Sequence, residues 1–309
     1  MRTVKSVRGR VKASLSWYFY DYLYEPLLIV WKNKKARIGF IILVLYALMA
    51  ILGPKFRPLN LVGNPLDAWK PPSLEHPLGC DYLGRDILSM LVNGAPLVLS
   101  VAFLRGLFVV LIGLAIGVIA GYVGGKLDSF LSFITDIVLN IPSLPLYIVL
   151  ATYFKVTDPI TMALVLSVTG WAGLARSVRS QVLSLKTAPF VEAAKVLGFP
   201  TRYIVFREIT PNIMSYITIN YIWSTADAVY AMVGLFFLGV IPFSTVNWGV
   251  MLFMAYRFTG AIYSMGTVHF MVAPIVAIVG LQLGLILFSY AMDEIFNPRI
   301  RTEYFRALR

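Results

Sequence analysis

The chain has 309 residues, of which 59% are apolar and 14% are charged, and its formal net charge is +12. A soluble domain of this size would be closer to half apolar and richer in charge, so the composition predicts a multi-pass membrane protein. The cations lie at the ends of apolar segments and not on one face, which argues against nucleic acid as a partner. Cys80 is alone, and His76 and His269 lack metal-ligand neighbours, so neither a disulfide nor a metal site is predicted.

The first 35 residues are predicted to form a cytoplasmic segment that is basic at its start and interfacial after it. Residues 1–13 carry five Lys or Arg, and residues 14–31 mix Trp and Tyr with two acidic residues. Such a mixture is typical of the bilayer interface rather than its core.

Apolar runs of the length needed to cross a bilayer, ~20 residues, recur along the chain. The predicted transmembrane helices are 36–53, 97–121, 130–153, 159–176, 212–239 and 268–290. Residues 54–96, rich in Pro and Gly, are predicted to be an extracellular loop with short helices. Residues 97–290 would then form a five-helix core, followed by a cytoplasmic tail, 291–309. Pro142 and Pro145 predict a kink in the third helix.

The distribution of positive charge predicts the orientation. With six spans, the two termini and the loops on their side hold 20 of the 27 Lys and Arg, and the opposite loops hold six. The remaining one, Arg105, lies within a span. Because short cytoplasmic loops carry the basic excess, both termini are predicted to be cytoplasmic. The predicted fold class is therefore an all-α membrane protein of six transmembrane helices, with an additional helix in a cytoplasmic loop.

The second span carries glycines at a strict spacing of four, at Gly113, Gly117, Gly121 and Gly125. On one helix they would form a smooth stripe that a neighbouring backbone can approach closely. The stripe predicts tight helix packing.

Polar residues inside the spans are candidates for function, because an intramembrane charge is costly and is usually paired or functional. Arg105 and Asp227 either form an ion pair or line a pathway, and Arg105 could instead extend towards the interface. Asp136, Asn220, Trp223 and Asp227 are the candidates for a translocation path, although aromatic residues at such spacing also serve packing.

The polar interruption Gly170–Asn212 carries six Lys or Arg between two spans, which predicts a cytoplasmic loop. Within it, Pro189 suits a first helical turn, Glu192 complements the helix dipole, and Gly198 suits the helix end. Phe190, Val191, Ala194 and Leu197 fall at helical spacing. From spacing alone, an ordinary amphipathic connector on the membrane surface would explain this helix.

The order of residues favours a more specific interpretation. VEAAKVLGFPTRYIVFREITPN resembles the EAA loop of ATP-binding-cassette importer permeases, with matches at Glu192, Ala193, Ala194, Gly198 and the pair Pro211–Asn212. The similarity to dipeptide and oligopeptide permeases of the C-subunit type extends over about residues 76–300. It includes, in order, HPLGCDYLGRDILS (76–89), GYVGGKLDSFLSFITDIVLNIPSL (121–144), GWAGLARSVRSQVLSLKTAPFVEAAKVLG (170–198), FFLG followed by WGVML (236–252) and NPR (297–299).

This resemblance implies a permease subunit, not an enzyme, in the cell membrane of a prokaryote, with an EAA loop at about 177–211. The implied partners are a second homologous permease, two ATPase subunits that carry ATP and Mg²⁺, an extracellular substrate-binding protein and membrane lipid. The residues implied in coupling to the ATPase are Phe190, Val191, Glu192, Ala193, Ala194, Leu197 and Gly198. Ala194 and Gly198 would have to be small so that the ATPase can dock closely. Glu192 would cap its helix or pair with a basic group on the ATPase.

The implied substrates are di- and oligopeptides, with oligosaccharides or nickel as alternatives within the same importer class. GYVGGK (121–126) lacks the spacing and the hydroxyl of a phosphate-binding loop, so ATP would be hydrolysed by another subunit. An ion-coupled secondary transporter is a lower-ranked alternative, because two intramembrane carboxylates are few for ion coupling. A membrane enzyme would need a nucleophile and base or a metal cluster. A channel would have no use for the docking loop.

Overall fold

The computed structural model describes residues 25–241, 246–259 and 267–296. Most of the predicted N-terminal segment 1–35 and of the predicted tail 291–309 therefore lies outside the described residues. The described ranges are helical and contain no strand, and their only extended pairing is a single bridge between Cys80 and Asp86. In chain order the helices of eight or more residues are α1 Glu25–Lys32, α2 Lys34–Phe56, α3 Ile87–Val123, α4 Gly125–Asn140, α5 Ser143–Tyr153, α6 Pro159–Leu185, α7 Pro189–Val196, α8 Met214–Phe237, α9 Trp248–Thr259 and α10 Val268–Phe296.

Four of the described helices, α2, α3, α6 and α10, are long and apolar enough to cross a bilayer. Helices α4 and α5 together make a fifth candidate, bent by 90° at the break between them. Helix α8 has 24 residues, enough to cross a bilayer, but polar residues interrupt its apolar sequence and it is not among these candidates. The all-α membrane class is therefore evident, with four or five apolar spans in the described part of the chain.

The predicted extracellular loop is shorter than expected, because α3 begins at Ile87 and not at residue 97. The Asp86 carboxylate caps the helix by accepting from the Leu88 backbone N–H at 3.3 Å. Pro96 lies inside α3 and does not end it. A helix of 37 residues is about 55 Å long, which exceeds the thickness of a bilayer core.

The predicted kink at Pro142 and Pro145 is a complete break. Helix α4 ends at Asn140, and Pro142 occupies the N-cap position of α5 without a capping hydrogen bond. Ile141 between them has an extended backbone (φ −81°, ψ 124°). The residue before a proline is driven away from helical geometry, which explains why the chain turns there. Helix α6 is longer than predicted and continues nine residues past 176, so the loop that follows it begins at Lys186.

Helices α3 and α6 form the most extensive helix pair. Three stripe glycines of α3 face α6, and a Cβ added at Gly117 would lie 2.6 Å from the Ala175 carbonyl oxygen. Gly113 and Gly121 approach α6 one turn to either side. Gly125 does not belong to this stripe: α3 ends at Val123, and Gly125 starts α4 with φ +62° and no atom within 4 Å of its added Cβ.

The predicted outer loop 240–267 contains an unexpected helix, α9. Trp248 at its start is fully buried and donates its indole Nε1–H to the Leu91 carbonyl oxygen of α3 at 3.0 Å. The helix therefore packs into the core and is not a free connection.

Two non-spanning regions lie at opposite ends of α3. The loop 57–86 contains a 3₁₀ turn, Pro65–Asp67, and leads into the start of α3. Residues 186–213, named here the docking segment, lie at its end, because Lys186 donates to the Tyr122 carbonyl oxygen and also lies over the Tyr122 ring. The docking segment comprises α7, a short helical turn (Thr201–Tyr203), a π-helix (Ile204–Ile209) and a 3₁₀ turn (Thr210–Ile213).

Candidate functional site

Helix α7 is held against the rest of the chain by two side chains one turn apart. Pro189 lies in its first turn, and the Ala188 carbonyl accepts the N–H groups of Val191 and Glu192 at 3.0 Å. Val191 and Ala194 are buried in an apolar cluster with Val182 of α6 and neighbouring isoleucines of the docking segment. Both residues are predicted to take part in coupling to the ATPase. In this chain they face α6 and the rest of the docking segment, where their small size suits close packing of α7.

The end of α7 is a Schellman motif. The Gly198 N–H donates to the Lys195 carbonyl at 3.0 Å, and the Phe199 N–H donates to the Ala194 carbonyl at 3.1 Å. This bond pattern needs a left-handed residue at the first position after the cap, and Gly198 has φ +78°. Nothing lies within 4 Å of a Cβ added there. Within this chain, Gly198 is therefore required for its backbone conformation and not for space.

The outer side of the docking segment is apolar and exposed. Among the residues predicted to couple, Phe190, Glu192, Ala193 and Leu197 are exposed, and Leu197 retains 74% of its accessible surface. We define the apolar docking face as the exposed large apolar residues of this region: Phe190, Val196, Leu197, Phe199 and Phe206. The Phe199 ring also stacks on Tyr203 at 4.4 Å between centroids. Several exposed large apolar side chains on one short segment are characteristic of an interaction site.

Glu192 does not cap its helix. The residue before α7 is Ala188, which has no side chain able to cap, and the Glu192 carboxylate makes no hydrogen bond or ion pair with the described residues. It lies exposed in the first turn, where its negative charge complements the helix dipole.

Two lysines attach α7 to the bundle, and the sequence reasoning missed them. The Lys195 ammonium donates to the Lys186 carbonyl at 2.9 Å, and the Lys186 ammonium donates to the Tyr122 carbonyl at the end of α3. These contacts connect the C-terminal half of α7, through the end of α6, to α3. A displacement of α7 would therefore be transmitted to the α3–α6 pair.

Two ion pairs join α4 to α6 near the same end. Arg176 pairs with Asp136, and Arg179 pairs with Asp128, the latter also through a 2.7 Å hydrogen bond. Arg176, Arg179 and Asp136 border a cavity of about 310 Å³ with Ser132 and other residues of α3, α4 and α6. Asp136, predicted to line a path, is thus exposed at the mouth of this cavity with Arg176 as its partner. Arg176 and Arg179 are three residues apart on one face of α6, and Asp128 and Asp136 are eight apart on one face of α4. This spacing could have predicted the two ion pairs from the sequence.

Arg105 and Asp227 are joined in an ion pair, with Arg105 Nη2 2.6 Å from Asp227 Oδ2. The Arg105 side chain is only 3% exposed, so it does not extend to the interface. Its guanidinium also donates to the carbonyl oxygens of Leu166 at 3.1 Å and Ser224 at 2.6 Å. Gly170 of α6 leaves the space, because an added Cβ would lie 3.0 Å from Nη2. The guanidinium therefore holds α3, α6 and α8 together.

The translocation-path candidates of α8 divide into two groups. The candidates Trp223 and Asp227 are exposed, as is Tyr230, which was not among the candidates, and the spacing of four and three residues places all three on one face. Asn220 is partly buried and donates to the Tyr216 carbonyl at 2.9 Å. The exposed face of α8 thus presents two aromatic rings and one carboxylate.

The outer loop 57–86 is a compact unit with its own buried ion pair. The Asp81 carboxylate, with no exposed surface, accepts from Arg85 Nε at 2.7 Å and from the Arg85 backbone N–H at 2.8 Å. Cys80 is buried beside it, and burial raises the pKa of its thiol to about 11. At the loop surface, the hydrogen bond from the Lys70 ammonium lowers the pKa of Asp67. Within the described residues no group of three His, Cys, Asp or Glu could hold a metal ion.

Comparison with known proteins identifies one family and several relatives. Residues 113–302 match the family described as binding-protein-dependent transport system inner membrane component. The oligopeptide transport system permease protein OppC of Bacillus subtilis is 36% identical over 71% of this chain and 72% of its own length. The dipeptide transport system permease protein DppC of the same organism is 37% identical over 71% of this chain and 69% of its own length.

The fold is also similar to a solved structure. A chain of the MetNI methionine ABC transporter in inward-facing conformations has a TM-score of 0.54 at 22% identity, over 67% of this chain and 94% of that chain. At this level of identity the likeness concerns the fold.

Proposed function

The chain belongs to the family of inner membrane components of binding-protein-dependent transport systems, and from that premise we propose that it is the permease subunit of an ATP-driven importer of di- and oligopeptides. Its relatives OppC and DppC are permeases of oligopeptide and dipeptide transport systems, and they support this substrate class. The chain is a multi-pass protein of the cell membrane.

We propose a topology of six spans with both termini in the cytoplasm. Helices α4 and α5 form the third span as a broken pair, and α8 forms the fifth although polar residues interrupt its apolar sequence. The support is the distribution of Lys and Arg, which favours a cytoplasmic position for the docking segment and both termini. The loop 57–86, at the other end of α3, is then extracellular.

The observation that carries the function is the apolar docking face on a segment anchored to α3 and α6. We propose that this face binds one of two ATPase subunits, which hold ATP and Mg²⁺. Exposed Phe and Leu side chains would fill a groove of that partner, and Glu192 would meet a basic group. When the ATPases close on ATP, α7 would move as a rigid lever, because its Lys195 and Lys186 contacts connect it to the ends of α6 and α3.

The remaining partners follow from the same function. A second, homologous permease subunit would complete the membrane unit, and an extracellular binding protein would deliver the substrate. ATP hydrolysis would occur on the ATPase subunits and not on this chain. Asp136, Asn220, Trp223 and Asp227 are the proposed residues of the translocation path.

Shortening Leu197 tests the docking proposal. Burial of a leucine side chain contributes about 1.5–3 kcal/mol, so Leu197→Ala should weaken the association with the ATPase about 10- to 100-fold. The measurement is the amount of ATPase that co-purifies with the tagged chain, together with ATP-dependent uptake. Leu66→Ala is the matched control, because Leu66 is 87% exposed but lies in the opposite loop.

Equal ATPase retention and uptake in the two leucine variants would contradict the proposed role of the docking face. A loss in both variants would indicate a general effect on assembly and would also argue against it.

A further inference from the structure

The two oxygens of the Asp227 carboxylate have different surroundings. Oδ2 lies 2.6 Å from Arg105 Nη2, whereas no residue in the described ranges hydrogen-bonds Oδ1. The Asp227 side chain as a whole is 65% exposed. One side of the carboxylate is thus built into the helix bundle, and the other remains open to a ligand.

The buried partner decides what this open side can bind. An arginine stays protonated, and Arg105 is enclosed by the bundle, so its positive charge requires a nearby negative charge. Asp227 supplies that charge, which makes the pair neutral. A second cation on Oδ1 would share one carboxylate with a guanidinium and be repelled by it. The open oxygen therefore suits a neutral hydrogen-bond donor better than a free ammonium group or a metal ion.

Aromatic rings lie on both sides of this acceptor. Trp223 is four residues before Asp227 and Tyr230 is three residues after it, and all three side chains are exposed. The exposed carboxylate of Asp227 makes this face of α8 poorly suited to lipid. Rings beside a hydrogen-bond acceptor can cover the apolar part of a ligand whose polar group meets the carboxylate.

We propose that Trp223, Asp227 and Tyr230 form a substrate contact that accepts a hydrogen bond from a neutral N–H or O–H group of the transported chain, with Arg105 as its positioning residue. The amide N–H of a peptide and the hydroxyl of an oligosaccharide share this chemistry. The site would select for a neutral polar backbone and not for a charged end. This inference rests on the importer function proposed above.

A double variant that restores the balance of charge at this site tests the proposal. The assembled transporter, with its binding protein at saturation, is reconstituted in liposomes, and initial uptake is measured for three probes. The probes are an uncharged tripeptide blocked at both ends, the same tripeptide with a free amino terminus, and an uncharged trisaccharide. The initial uptake by each variant is divided by the uptake by wild type with the same binding protein, so that the preferences of the binding protein cancel.

The expected results differ between variants. Asp227→Asn leaves the positive charge of Arg105 without a negative partner. Because that charge repels a cationic peptide, the ratio of cationic to neutral peptide uptake should fall about tenfold. The double variant Arg105→Gln with Asp227→Asn removes both charges and keeps an acceptor, so that ratio should return to within about twofold of wild type. Trp223→Ala should lower uptake of both peptides equally, about fivefold. Trp31→Ala is the matched control, because Trp31 is 57% exposed and Trp223 is 55% exposed, and this change should have no effect.

Three results would overturn the proposal. If the ratio stays low in the double variant, Asp227 binds a cation. If every variant transports within twofold of wild type, including Trp223→Ala, the face is not a substrate contact. If wild type shows no ATP-dependent uptake of any probe, the importer function itself fails, and the substrate site fails with it. A Trp223→Ala loss confined to the peptides assigns the donor to amide N–H groups, and a loss confined to the trisaccharide assigns it to hydroxyls.

Discussion

Replacement of Gly198 separates two reasons for a glycine in the docking segment. Gly198 has φ +78° and closes the Schellman motif at the end of α7, and nothing within 4 Å would meet an added Cβ. For a residue other than glycine, a left-handed backbone costs about 1–2 kcal/mol, and asparagine tolerates this region better than alanine. If conformation is the requirement, Gly198→Asn should be the milder change although asparagine is the larger residue.

The assay is ATP-dependent uptake by the assembled transporter, measured together with ATP hydrolysis. A cost of 1–2 kcal/mol reduces the correctly shaped population about 5- to 30-fold. We therefore expect Gly198→Ala to reduce coupled uptake within that range and Gly198→Asn to reduce it less than about threefold. Gly173→Ala is the control, because Gly173 lies inside α6 with open space around its added Cβ.

The reverse order would refute this reasoning. Near-normal coupling in Gly198→Ala with loss in Gly198→Asn would mean that the partner requires room at this position and that the left-handed backbone is secondary.

The other predictions concern stability and reactivity. Gly117→Ala should lower the melting temperature in detergent by about 2–4 °C relative to Gly173→Ala, because overpacking against the Ala175 carbonyl costs more than helix propensity gains; equal values would contradict the close α3–α6 contact. Asp81→Asn should destabilise the outer loop by about 3–5 kcal/mol by leaving Arg85 buried without a charged partner, seen as faster hydrogen exchange over residues 57–86; unchanged exchange would argue against it. The Cys80 thiol, with a pKa of about 11, should be about 0.1% thiolate at pH 8 and label slowly with maleimide until denaturant is added; rapid labelling of the folded protein would contradict its burial.

The elements that depend on local sequence rules could be predicted. Pro189 at the start of α7 and Gly198 after its end are local signals, and the structure begins and ends the helix accordingly. The apolar runs likewise indicated α2 and α10, because bilayer thickness sets a minimum length that is visible in the sequence.

Features that depend on tertiary contacts could not be predicted from those rules. The predicted loop 54–96 includes ten residues that the packed helix α3 contains, Pro96 among them. Val191 and Ala194 fall on the same apolar pattern as Leu197, and only the position of α6 shows which of them are buried. The acceptors of Arg105 on α6 and α8 are backbone carbonyls far away in sequence, which no residue pattern reveals.

Native purification of the tagged chain, followed by reconstitution of what co-purifies, tests the central claim most directly. We expect a second permease and two ATPase subunits to co-purify, and we expect uptake to require ATP and to be insensitive to proton and sodium ionophores. A chain that purifies alone and transports its substrate in liposomes without ATP would contradict the importer function and favour a secondary transporter.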